Sequence, residues 1–284
     1  MMENTKKETR AVVLGGGGVT GMAWEIGIIT ALLEKDIDLS EADVIIGTSA
    51  GSFVGSSLAS GYDIKKLYDS QFATNTSEVN TSVNPEIMML WTEAFRYGKD
   101  DKKKIGQMFG DIAKKYPPNI SKETRQRVVE SRLTTTLWPQ KLRVTAIDAD
   151  TGELHVFDKD SGSSLINVVN ASGAVPGIWP LVTFNEKDWI DGGMVSSTNA
   201  RLADGYDKIV ILSPMPQKYG LIPSVGEDAS EMQKSSKVSL IVPDEDSILA
   251  IGKNPYDPNH TASSAKAGFN QGIKEAADIY KTWL

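Results

Sequence analysis

Between Val13 and Gly27 the chain reads VLGGGGVTGMAWEIG: a short apolar run, four consecutive glycines, then apolar positions at helical spacing. An apolar run that stops at glycines and resumes with helical period is a buried strand turning into a helix. The pattern returns at once. Asp43 to Ile46 is a second short apolar run, GTSAG follows it directly, and small and apolar residues from Ser52 to about Ala59 read as a closely packed helix. Two strand–turn–helix units within sixty residues require a parallel sheet covered by helices, because a parallel pair needs a crossover and the crossover helix lies on the sheet.

Further along, about Tyr62 to Arg132 is charged and helix-periodic, clearest in PEIMMLWTEAF, KKKIGQMFGDIAKKY and SKETRQRVVESRL. Strands resume at LRVTAID and ELHVFD, followed by a helix near Leu165 to Val169 and the irregular ASGAVPGIWP. VTF and DWI pair across NEK, KIVILSP and VSLIVPD are further strands, and about Ala262 to Leu284 is helical. No internal repeat or low-complexity linker interrupts this order. The expected organisation is one domain over residues 1–284 with a helical insertion at about 62–132. Within that insertion IMMLW has two readings, core residues at helical spacing or an apolar lip over a site. The adjacent Asp100 to Lys104, DDKKK, reads as a solvated surface run.

Composition narrows the chemistry. A formal net charge of −7 with interspersed signs argues against a nucleic-acid partner. With no cysteine and only His155 and His260, thiol chemistry is excluded and a histidine metal site has few ligands to draw on. Asp148 and Asp150 fall in DADTGE between two strands, a hairpin turn rather than a cation site. No metal and no organic cofactor are expected. The N-terminus, MMENTKKETR, lacks an apolar signal-peptide core, and no apolar run approaches the ~20 residues that cross a bilayer. The expected location is cytoplasmic, with room for peripheral contact at a membrane surface; oligomeric state is left open.

Three motifs carry chemistry. Gly47-Thr48-Ser49-Ala50-Gly51 is G-x-S-x-G between a strand and a helix, a turn that exposes the Ser49 hydroxyl at the strand's carboxyl end while glycines at positions 47 and 51 avoid backbone collisions. A serine needs a base to take its proton, and Asp191, at the end of the short strand DWI and followed by Gly192 and Gly193, is the candidate. The amides of Gly16, Gly17 and Gly18, at a helix entrance, would stabilise the oxyanion formed when a carbonyl is attacked.

Together these motifs resemble the patatin-like phospholipases, serine lipid acyl hydrolases. The family's G-G-G-x-R/K-G loop matches Gly16 to Gly21, its G-x-S-x-G elbow Gly47 to Gly51, its D-G-G/A motif Asp191 to Gly193, and its A-S-x-A-x-P block Ala171 to Pro176, in order, across roughly residues 11 to 214. The resemblance implies a three-layer α/β sandwich with a mainly parallel central sheet. It also implies a Ser49–Asp191 dyad without histidine that hydrolyses carboxylic esters of phospholipids, lysophospholipids or glycerolipids. One position departs: Thr20 stands where the family commonly has a basic residue, which leaves substrate class open.

Alternatives come from other classes. Ser49, Asp191 and His260 occur in the chain order of an α/β-hydrolase triad, but that fold places several strands before its elbow and only one is found here. Gly16-x-Gly18-x-x-Gly21 also fits a dinucleotide loop, yet the acids Glu41 and Asp43 precede the second strand where the ribose would need one at its end. A lipid-binding or acyltransferase protein on the same fold would use the same residues. A carboxylate with a reference pKa near ~3.9 is a weak base, so the dyad requires a partly desolvated Asp191.

Overall fold

The computed structural model describes residues 8–73 and 76–284. Most of the N-terminal stretch on which the location expectation rests, residues 1–7, lies outside them. In chain order the elements are β1 (Arg10–Leu14), α1 (Gly18–Leu33), β2 (Val44–Gly47), α2 (Ala50–Ala59), α3 (Ile64–Ser70), α4 (Pro85–Gly98), α5 (Lys102–Lys115) and α6 (Lys122–Arg132). The second half adds β3 (Leu142–Asp148), β4 (Leu154–Phe157), α7 (Leu165–Ser172), β5 (Val182–Phe184), β6 (Lys187–Asp191), β7 (Lys208–Leu212), α8 (Val225–Met232), β8 (Lys237–Ile241), α9 (Glu245–Ile251) and α10 (Thr261–Trp283).

All eight strands form one sheet in the order β5-β6-β3-β2-β1-β7-β8, with β4 also on β3. The centre, β3-β2-β1-β7-β8, is parallel, and β4, β5 and β6 are antiparallel additions. Alternation sorts the central strands between two covers. Val12, Leu14 and Ile45 face a core shared with α1, α2, α7 and α10. Ala11, Val13, Val44, Ile46, Ile209 and Ile211 face α8 and the turn at Ala200–Ala203. The result is three layers, and being covered on both faces is why β1 and β2 read as nearly continuous apolar runs.

Register brings the motif loops together. Leu14 on β1 pairs with Gly47 on β2, so the glycine loop and GTSAG leave the sheet side by side at the strands' carboxyl ends. β2 occupies β3 from Leu142 to Val144, and β6, running the other way, takes Ala146 to Asp148 with Asp191 opposite Ala146. The ends of β2 and β6 therefore meet.

The DADTGE turn closes the β3–β4 hairpin: Asp148 Oδ1 accepts from the amides of Asp150 and Thr151, and its Oδ2 pairs with Lys187. Asn185 and Glu186, both at positive φ, make the tight β5–β6 turn across NEK. In the DDKKK run, Asp101 caps α5 by accepting from the Lys104 amide and the lysines are exposed. Sequence periodicity did not anticipate α8 or α9. The α8 cap is nonetheless a complete capping box, Ser224 to the Glu227 amide and Glu227 back to the Ser224 amide.

Candidate active site

Ser49 is the residue just before α2 and has φ 53 and ψ −118, a strained conformation for a residue with a Cβ. The surrounding backbone enforces it. A Cβ on Gly51 would stand 2.2 Å from the Leu14 carbonyl oxygen, so only glycine lets the elbow close onto β1. The Gly51 amide donates to Gly15 O at 2.9 Å and the Thr48 amide to Leu14 O at 3.0 Å, binding elbow to glycine loop.

Asp191 is buried, and the Ser49 hydroxyl donates directly to its carboxylate. The Gly193 amide donates to Asp191 Oδ1 at 2.6 Å. Burial pushes the carboxyl up to about 7 against the opposing pull of these two hydrogen bonds and of the Arg125 charge. The desolvation that the sequence argument required is thus present.

The A-S-x-A-x-P block grips both residues. Ser172 Oγ accepts from the Ser49 amide at 2.9 Å, and the Ala174 carbonyl accepts from the Asp191 amide at 3.1 Å. Behind them, Asn199 Nδ2 donates to Thr48 Oγ1 at 3.1 Å and to Gly192 O at 3.1 Å, tying the elbow to DGG. Asn199 was not singled out from sequence, since nothing local marks an asparagine that spans two distant loops.

One part of the glycine-loop expectation is amended. The Gly16 amide donates to Ser197 O at 2.7 Å and so is engaged, whereas the amides of Gly17 and Gly18 have no protein partner among the described residues. Gly18 has φ 61 and lies against Pro255, whose carbonyl oxygen would be 2.3 Å from a Cβ there. Thr20 is buried and turned the same way, its amide and hydroxyl both donating to Pro255 O at 3.2 and 3.3 Å. Glu25 anchors the loop's start by accepting from the Gly15 amide at 2.8 Å, and burial raises its carboxyl well above the usual range.

Gly16, Gly17, Gly18, Ser49 and Asp191 line one cavity, closed by Trp91, Phe95, Met194, Met215, Tyr219 and Tyr256. Its walls are mostly apolar. Trp91 and Phe95 come from α4, so one face of the IMMLW segment lines the site while Met88 and Met89 are exposed. Both readings of that segment hold, each for a different face. The histidines lie elsewhere in the bonding pattern: His260 Nδ1 contacts Ala250 O at 3.0 Å, and His155 packs edge-on against Trp189. The acids that precede β2 are used locally, Glu41 pairing with Arg10 and Asp43 accepting from the Arg10 amide.

A patatin-like phospholipase family model matches residues 12–204, more than half the chain. The chain belongs to the patatin-like phospholipases. Similar curated relatives include lysophospholipase NTE1 of Eremothecium gossypii, 28% identical over 190 residues that make up 66% of this chain and 10% of that one. Another is lysophospholipase NTE1 of Saccharomyces cerevisiae, 35% identical over 103 residues, 35% of this chain and 6% of that protein. The chain thus spans a tenth or less of the length of these relatives. Among solved structures, VipD from Legionella pneumophila is similar with a TM-score of 0.49 at 15% identity, over 96% of this chain and 67% of that one. No helix among the described residues of this patatin-like chain is long and apolar enough to cross a membrane.

Proposed function

We propose that this chain hydrolyses fatty-acyl esters of lipids through an acyl-enzyme on Ser49, with Asp191 as general base. The observation that carries the reading is the direct hydrogen bond from a strained, helix-capping serine to a buried carboxyl, on a cavity that also holds the free amides of Gly17 and Gly18. As Ser49 Oγ attacks the ester carbon, Asp191 takes its proton, and the Gly17 and Gly18 amides receive the negative charge on the carbonyl oxygen. The proton then passes to the leaving alcohol. Water, deprotonated by the same carboxylate, attacks the acyl-enzyme and releases the fatty acid. A base near pH 7 suits this work better than an ordinary carboxylate would. The residues themselves supply every step, so no cofactor is invoked.

The lysophospholipase names of the relatives and the apolar cavity both favour a single-chain or double-chain acyl ester as substrate. The test is a p-nitrophenyl ester series of rising chain length on the wild type, Ser49→Ala, Asp191→Ala and His260→Ala. Expected are losses of at least about 10³-fold for the first two, a near-wild-type rate for His260→Ala, and a fluorophosphonate adduct on Ser49 alone. Retained turnover in Ser49→Ala would overturn the nucleophile, and a comparable collapse in His260→Ala would restore the triad.

A further inference from the structure

Arg125, on α6, is the buried charge that the dyad does not use. Its side chain is only 1% exposed, and its partners are neutral: Nε donates to Asn170 Oδ1 at 3.0 Å, Nη2 to Gly173 O at 3.2 Å, and the guanidinium lies 4.5 Å from the Trp179 ring centre. Nη1 is buried with no hydrogen-bond partner in the protein. Arg132, further along the same helix, shows the contrast, since Glu78 pairs with it through two bonds of 2.8 and 2.7 Å. Asp191 is the carboxyl that acts on Arg125, but it is already engaged by Ser49 and Gly193. Burying a guanidinium without an anion is costly, and burial here lowers its pKa to about 9.

The position of this charge is specific. Arg125, Ser49 and Gly18 line one small cavity between the apolar site and a larger groove reached past Val19, Phe53 and Arg132. Gly173, at the variable place of the A-S-x-A-x-P block, makes the approach feasible, because a Cβ there would sit 2.7 Å from Arg125 Nη2. The glycine loop brings no cation of its own, as Thr20 is turned to Pro255. We propose that Arg125 binds an anionic oxygen of the substrate beside the scissile ester, and that this oxygen belongs to a phosphodiester.

A carboxylate offers the same charge, but it ends its chain. A diester continues past its anion, and the groove beyond is lined with polar side chains that include Ser57, Gln71, Thr134 and Asn259. The acyl chain would then lie toward Trp91 and Phe95, the phosphate at Arg125, and the headgroup in the groove.

This assignment rests on the ester-hydrolase reading, so the experiment separates the two. Wild type, Arg125→Gln and Arg125→Lys are compared on a lysophosphatidylcholine and a monoacylglycerol with the same acyl chain. Rates are taken on the high-pH plateau, because losing the cation raises Asp191 further. The preference for the lysophospholipid is expected to fall about 100-fold in Arg125→Gln, the worth of a charge-assisted hydrogen bond away from water, and by less in Arg125→Lys. Equal losses on both substrates would mean that Arg125 only supports the fold, and the proposal would fail.

Should Arg125→Gln not fold, the wild type still decides through competition against p-nitrophenyl butyrate. Hexylphosphocholine is expected to inhibit at least tenfold more tightly than hexanol or hexanoate, at the scale of one such hydrogen bond. Tighter inhibition by hexanoate would assign the site to a carboxylate and overturn the phosphodiester. A wild type that neither turns over any ester nor labels with fluorophosphonate would instead defeat the hydrolase reading.

Discussion

Asp191 shows how one buried carboxyl sets both rate and stability. Raised from 3.8 to about 7, it carries an ionised form disfavoured by roughly three pKa units, or about 4 kcal/mol. Only that ionised form can accept the Ser49 proton, so kcat/KM on a neutral ester is expected to fall about tenfold per pH unit below 7 and to level off above it. The stability effect has the opposite sign. In the unfolded chain the carboxyl ionises near pH 4, while the native one holds its proton until about 7, so its contribution to stability is full below pH 4 and is lost as pH rises to 7. Asp191→Asn removes this titration. Its stability relative to wild type should rise by up to about 4 kcal/mol between pH 4 and 8, read as the difference in urea unfolding free energies, although the variant is inactive. A flat difference across that range would show that burial does not control the group. Ser49, Asp191 and their glycines were legible in the sequence because each sits in a local turn whose shape demands those residue types. Arg125, Asn199 and Ser172 were not, since each acts on a segment far away in the chain and carries no local signature.

At the scale of the element, α4 explains why IMMLW supported two readings. Ile87, Trp91 and Phe95 recur at helical spacing, with Ile87 buried, the Trp91 indole donating to Pro176 O at 3.2 Å and Phe95 stacked on Tyr219. Met88 and Met89, between those positions, are 54% and 67% exposed. Periodicity identifies the helix but cannot choose its face, which depends on what the sheet and the ASGAVPGIWP segment place beneath it. A helix with one face on the site and two methionines outward is suited to dip into a lipid surface while keeping the cavity mouth at that surface. Replacing both Met88 and Met89 with Asp is expected to lower co-sedimentation with phosphatidylcholine vesicles by at least tenfold, given roughly 1.5–3 kcal/mol for each buried methionine. Hydrolysis of soluble p-nitrophenyl butyrate should stay near wild type. Unchanged vesicle binding would remove α4 from the lipid contact. The missed α8 had the reverse problem: its Ser224-x-x-Glu227 box was readable, but the glycine inside it and the short length made the segment resemble a loop.

Across the whole molecule, the last thirty residues hold the first thirty in shape. α10 packs so closely on α1 that a Cβ on Gly27 would be 2.2 Å from Ala265 O, and one on Gly268 would be 2.3 Å from Trp24 O. The Trp24 indole also donates to Gln271 Oε1 at 3.0 Å. The segment leading into α10 supplies Pro255, which receives Thr20, and Tyr256, which walls the cavity. None of this lies within the matched residues 12–204, and in sequence it appeared only as a proline-rich loop before a helix. Site geometry should therefore respond to a change on α10 that touches no site residue. Gly268→Ala must push α10 away from α1, an overpacking that costs about 1–3 kcal/mol and should lower Tm by several degrees. Because Pro255 moves with the helix that follows it, the glycine loop loses its backing, and kcat on p-nitrophenyl butyrate should fall along with Tm. Gly226→Ala on α8 is the matched control: its Cβ would meet nothing closer than Ser224 Oγ at 3.9 Å, so it should leave Tm unchanged or slightly raised, and the rate unaltered. If Gly268→Ala melts with wild type and keeps its rate, the α1–α10 contact is not what positions the loop.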